Sequence, residues 1–191
     1  METKIEILQG NLLDSTADAI VLTIDGAAIG MEGNLARLFS RQCPDAWEDL
    51  EFEITYPIQL GNVKGFRIDE ELDCNNKLIY IASTLHHIET LTDGQKINVI
   101  ENAIHNIVNL SVRNRVKSIA TAILSGGWRL STTDALGSMI ETYIRSSRST
   151  SNPPVLYIYV LNQDEFEKIG LHLTNSGLHF RMPRVGVYKL Y

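Results

Sequence analysis

The sequence predicts an α/β fold with a central, largely parallel sheet. Two observations predict it. Short apolar runs such as ADAIVLTI (17–24) and VLYIYVL (155–161) lack the alternation of a strand with one wet face. That is the pattern of strands buried on both sides. Between the runs, apolar residues recur at spacings of three and four, as on one face of a helix. Alternation of such strands and helices packs as a sheet covered by helices.

Each element has its own signal. Ile5, Ile7 and Leu8 make a short first strand that stops at Gly10. Residues 17–24 form the second strand, and a glycine-rich stretch then leads into a helix with Leu35, Leu38 and Phe39 on one face. Residues 57–68, with Gly61 and Gly65, read as a hairpin or edge excursion. Further buried strands follow at 78–82, 118–124 and 155–161, the last being the strongest. Helices lie between them at 96–113, carried by Ile97, Ile100, Ile104 and Ile107, and at 132–146, carried by Leu136, Met139, Ile140 and Tyr143. Ser131 to Asp134 opens the second of these with a capping-box-like spacing. Asn162 to Glu165 does the same for a last helix carrying Phe166 and Ile169, and the tail from Arg184 to Tyr191 adds one final strand.

Composition narrows the function. In 191 residues, 44% are hydrophobic and 21% charged, which excludes a disordered chain. The 17 basic against 23 acidic residues, a net charge of −6, argue against nonspecific nucleic-acid binding, which needs a basic surface. No apolar run approaches the roughly 20 residues of a membrane span. Met1 to Gly10 carries Glu2, Lys4 and Glu6, unlike a secretory leader. Cys43 and Cys74 cannot build a disulfide framework. The expectation is a soluble, cytoplasmic domain that binds no membrane.

In a sheet of this kind ligands bind where strands turn into helices, and three turns are informative. Leu124-Ser-Gly-Gly-Trp-Arg-Leu-Ser131 places two glycines and Arg129 just before a capped helix. Backbone N–H groups at such a turn approach an anion, the helix end adds partial positive charge, and a guanidinium suits phosphate. A plain tight turn is the alternative. Asp25 to Asn34 holds Gly26, Gly30 and Gly33 and leads to Leu35, against the alternative of a flexible surface loop. Gly10, Asn11 and Leu12 follow the first strand. Neither a Walker loop, a Gly-x-Gly-x-x-Gly fingerprint nor a Gly-x-Ser-x-Gly elbow occurs. His86 and His87 follow a strand, but no histidine has metal-ligand spacing, so a structural role is the simpler reading and no metal is expected.

The order of these motifs resembles the macrodomain family, the ADP-ribose-binding modules. The matching pieces are Ile5-Glu-Ile-Leu-Gln-Gly-Asn-Leu12, Ala17-Asp-Ala-Ile-Val21, Lys117-Ser-Ile-Ala120, and Ile123-Leu-Ser-Gly-Gly-Trp128. The strand 155–161 with Asn162 and the Phe166 helix falls where the family has its closing strand and helix. The resemblance implies a three-layer α/β/α macrodomain-like fold over residues 1–173 and a C-terminal extension at 174–191. It places Asn11, with Gly10 and Leu12, at the adenine, where the family usually carries aspartate. It places Thr23, Asp25 and Gly26 at the distal ribose, where the family carries asparagines. Gly30 and Gly33, with Asn34 and Leu35, stand for the first phosphate loop. Ser125, Gly126, Gly127, Trp128 and Arg129 stand for the second, Trp128 in the aromatic position and Arg129 in place of a glycine, and Asn162 closes the site.

The implied function is binding of ADP-ribose or a related NAD-derived nucleotide, free or on an ADP-ribosylated protein, as a reader or sensor without a cofactor. Two other functions stay open at this point. One is an ADP-ribosyl hydrolase, for which Asp25 is the candidate base. The other is a pseudo-macrodomain acting through protein contacts, suggested by the missing ribose asparagines and by Glu32 inside a phosphate loop.

Overall fold

A computed structural model describes residues 4–28, 33–72, 74–125 and 130–191. Its strands are β1 (Ile5–Gln9), β2 (Ala19–Asp25), β3 (Val63–Arg67), β4 (Leu78–Leu85), β5 (Ser118–Ala122), β6 (Val155–Val160), β7 (Phe180–Arg184) and β8 (Val187–Leu190). Its α-helices are α1 (Asn34–Gln42), α2 (Pro44–Glu53), α3 (Asp93–Arg113), α4 (Thr132–Ser147) and α5 (Gln163–Asn175). The strands form one sheet in the order β3-β4-β2-β5-β6-β1-β8-β7. The central five, β4-β2-β5-β6-β1, run parallel to one another. β3 and β8 flank them antiparallel, and β7 pairs antiparallel with β8.

The apolar runs explain this layering. On β2, Ile20, Leu22 and Ile24 face one core with Phe39 of α1 and Trp47 and Leu50 of α2. Ala19 and Val21 face a second core with Ile104 and Ile107 of α3, Met139 and Tyr143 of α4, and Phe166 and Ile169 of α5. Both faces of the strand are therefore dry, and the mixed sheet lies between two helical layers, as expected.

The structure departs from the expectation at several places. α2 lies in a stretch with no helical reading; it opens on Pro44, which suits a first helical turn, and buries only Ala46, Trp47 and Leu50, too narrow a stripe to show as a period. α3 begins at Asp93, before the expected start, because Thr92 and Gln95 form a reciprocal capping box. The edge excursion at 57–68 contains one strand, β3, paired to β4. The tail makes two strands rather than one. β7 was hidden because its residues are largely exposed and include Pro183. Both cysteines are buried, and neither is in a disulfide. Among the described residues no helix is long and apolar enough to cross a membrane.

Gly26 is needed for close approach. Gly26 donates its N–H to the Leu85 carbonyl and accepts from the N–H of Ile58, so three chain segments meet there. A Cβ at residue 26 would overlap the Ser83 side chain and the Ile58 carbonyl. Gly26→Ala is expected to cost about 1–3 kcal/mol, as overpacking does. Urea unfolding measures it, and a neutral substitution would show that the 54–58 segment yields freely.

Candidate functional site

Five parallel strands end on the same edge of the sheet, and the order along that edge is β1, β6, β5, β2, β4. Asn11, Asn162, Ser125 and Asp25 follow or end the first four of them. At a strand spacing of about 4.8 Å, the edge from β1 to β2 spans about 14 Å. From β2 the chain enters α1 on one face, whereas from β5 it enters α4 on the other. Adjacent strands whose connections leave on opposite faces open a crevice at their carboxyl ends.

Asn11 caps the short 3-10 turn Leu12–Asp14, its Oδ1 accepting from the Leu13 N–H at 3.2 Å. One lone pair of Oδ1 and the Nδ2 donors remain for a ligand. The Leu12 side chain is buried in the α1/α2 core and is not a wall of the crevice. Thr23 is half-buried. Gly33 is the N-cap of α1, and a Cβ there would stand 3.1 Å from the Thr23 carbonyl, so α1 begins tight against the end of β2. Asn34 is exposed and Leu35 packs on the α1/α2 core. Gly30, Gly126, Gly127, Trp128 and Arg129 lie outside the described residues. Ser125 is half-buried in the turn that follows β5, where the Leu124 N–H points at the Met139 sulfur 3.3 Å away.

Asn162 is exposed, and its Oδ1 accepts from the Glu165 N–H at 3.1 Å, capping α5. It borders a cavity of about 460 Å³ shared by the starts of α4 and α5, with Ser131, Thr132 and Lys168. The chain supplies its own anion there. Thr132 Oγ1 donates to Glu165 Oε1 at 2.8 Å, which sets a carboxylate beside the positive end of α4. A larger cavity, about 740 Å³, lies away from this edge between α2 and β3. Among the described residues no three metal-binding side chains cluster.

Two residues at the edge have surroundings that the sequence reading did not anticipate. Leu161 follows β6 and is 72% exposed. It is the last letter of an apolar run and reads as strand core, but the strand ends at Val160. His87 follows β4 and contacts Asp25, a pairing of residues far apart in sequence that no local pattern announces.

No family model and no curated protein matches the sequence. Solved structures do. A macrodomain of Oceanobacillus iheyensis superposes with a TM-score of 0.76 at 14% identity, covering 92% of this chain and 93% of that one. The macrodomain of Mycobacterium tuberculosis DarG gives 0.64 at 18% identity, covering 84% and 99%. A Trypanosoma brucei macrodomain solved in complex with ADP-ribose gives 0.69 at 13% identity, covering 86% and 66%. The chain therefore has the macrodomain fold, and the resemblance read from the order of its motifs is borne out at the level of the fold.

Proposed function

We propose that the chain binds ADP-ribose or a related NAD-derived nucleotide across the carboxyl ends of β1, β6, β5 and β2, as a reader or sensor. The observation that carries this reading is that the connections after β2 and β5 leave on opposite faces of the sheet, in a fold shared with a macrodomain solved with ADP-ribose. Asn11 offers the adenine both an acceptor and donors, and exposed Leu161 beside it offers the base an apolar surface. Thr23 and Asp25 stand at the ribose end. Arg129 and the glycines of both loops are assigned to the phosphates on their chemistry. The same nucleotide attached to a protein is the proposed macromolecular partner.

Thermal melts with ADP-ribose, AMP and NAD test this directly. A ligand at one hundred times its dissociation constant is expected to stabilise the protein by about 2.7 kcal/mol. Arg129→Ala is expected to weaken ADP-ribose binding by about 1–3 kcal/mol in calorimetry, as for a charge-assisted bond. Gly126→Val is expected to block the backbone approach and abolish binding with the fold intact. If no nucleotide shifts the melt, the reading falls and a protein-contact role takes its place.

A further inference from the structure

The two outer strands of the sheet, β3 and β7, differ in how their free edges are guarded. β7 is largely exposed, carries Pro183, and its register with β8 slips between Arg181 and Arg184. Proline, charge and an irregular ladder are the usual means of keeping a sheet edge from pairing with another chain. β3 has neither proline nor irregularity, and it keeps one register with β4 from Val63↔Ala82 to Arg67↔Leu78. The Ile68 N–H donates to the Lys77 carbonyl, and the Asn62 carbonyl accepts from the Ser83 N–H. Even-numbered residues of this strand therefore bond to β4, and Val63, Gly65 and Arg67 turn their N–H and carbonyl groups outward. Among the described residues these outward groups have no hydrogen-bond partner. Gly65 and Arg67 are exposed. The groove of about 740 Å³ between α2 and β3 borders this strand, with Phe66 and Arg67 in its wall. Exposed carboxylates line it: Glu48, Asp49 and Glu53 from α2, and Asp69 and Glu70 from the turn after β3. None of the five is in an ion pair among the described residues. Lys77, also in the wall, is committed to the chain itself, its Nζ donating to the carbonyls of Asp69, Glu70 and Leu72. Phe52 of α2 adds an apolar surface that is 94% exposed.

We propose that β3 is a docking edge for an extended segment of a partner protein bearing lysine or arginine, which adds to the sheet as a further strand. Main-chain bonds to Val63, Gly65 and Arg67 supply the attachment, as in other cases of strand addition. Side chains of an added strand alternate between the two faces of the sheet. Phe66 belongs to the core beneath α2, so on that face every second side chain of the partner passes Phe52 and the carboxylates. Cations and their aliphatic stems suit that wall, because the acidic groups there lack counter-charges and Phe52 lacks cover. The alternate positions meet the α3 face, where Leu110 lies beside Gly65. Charge thus selects the partner, and the open backbone holds it.

The probe is a blocked peptide in which lysine, leucine and lysine alternate with threonine, added to the full chain. Two controls accompany it. One carries glutamate for lysine, and the other is N-methylated throughout, keeping every side chain and losing every backbone donor. Fluorescence anisotropy is expected to show saturable binding of the lysine peptide, with both controls weaker by about tenfold or more. Amide hydrogen exchange followed by NMR is expected to slow about tenfold or more at Val63, Gly65 and Arg67 on binding, with no change on β7. Phe52→Ala and Glu53→Lys, both at exposed positions of α2, are each expected to weaken binding about tenfold. No binding at about 1 mM peptide, a free energy near −4 kcal/mol, overturns the proposal. Equal binding of the N-methylated peptide does so too, since it would leave an acidic surface without strand addition. Protection of the same three amides that grows with protein concentration in the absence of peptide would give the edge to a second copy of this chain, and overturns the reading of a basic partner.

Discussion

Replacing Tyr188 with Ala is expected to remove about 3–5 kcal/mol of folding stability, the range for emptying a buried aromatic site. Tyr188 lies on β8, near the end of the chain, yet its ring is buried in the main core. It stacks on Phe166 of α5 at 4.4 Å between centroids and 14° between planes, and meets the Phe180 ring edge-on at 5.4 Å. Gly170 leaves the space for it, since a Cβ there would overlap the Tyr188 hydroxyl. Urea unfolding reads the loss as a lower midpoint at unchanged slope. A loss below about 1 kcal/mol, small against the range for aromatic truncation, would mean that β7 and β8 are an appendage.

The second large effect is one of pH. Tyr143 of α4 is 1% exposed, and its hydroxyl donates to the Pro154 carbonyl. Burial pushes its pKa from 10.0 up to about 12, against a smaller opposing pull from the Ser147 hydroxyl. A phenol held neutral by the fold contributes its stability in full below pH 10. Above that, the unfolded chain loses the proton while the folded chain keeps it. Stability then falls until the folded pKa is reached, by about 2–3 kcal/mol in all. Urea melts from pH 9 upward should show this slope, and Tyr143→Phe should flatten most of it. Burial also raises Tyr157 and Tyr188, with Glu6 adding to the first and Glu167 to the second, so some alkaline slope should survive in the variant. An unchanged slope in Tyr143→Phe would place the dependence on those two residues.

The layers were legible in the sequence because burial on both faces leaves no alternative to a central strand. Ile20, Val21 and Leu22 are all apolar because one face of β2 meets α1 and α2 and the other meets α3 and α4. Elements at the margin leave weaker marks. β7 carries Arg181 and Pro183 in an exposed strand, and α2 buries a narrow stripe, so neither repeats at a diagnostic period. The candidate site was legible as an edge, since Gly10, Asn11, Asp25 and Asn162 do end or follow strands along it. What those residues do was harder to read. Asn11 and Asn162 spend a side-chain acceptor on capping, and Gly26 has a packing reason of its own. The Asp25–His87 contact joins β2 to the end of β4, which only the register of the sheet reveals.

The position of β1 bears on how quickly this molecule is made. Ile5 pairs with Leu156 on one side and with Leu190 on the other, so β1 finds its partners 151 and 185 residues further along. One hydrogen-bonding edge stays open until β6 is made and the other until β8 is, and closing such distant pairings is slow because the loop entropy must be met before the contacts form. Refolding should be slower than for a helical chain of similar length. Until β6 and β8 arrive, Ile5 and Ile7 form a short apolar template for other chains, so aggregation should be most acute in products that stop before residue 187.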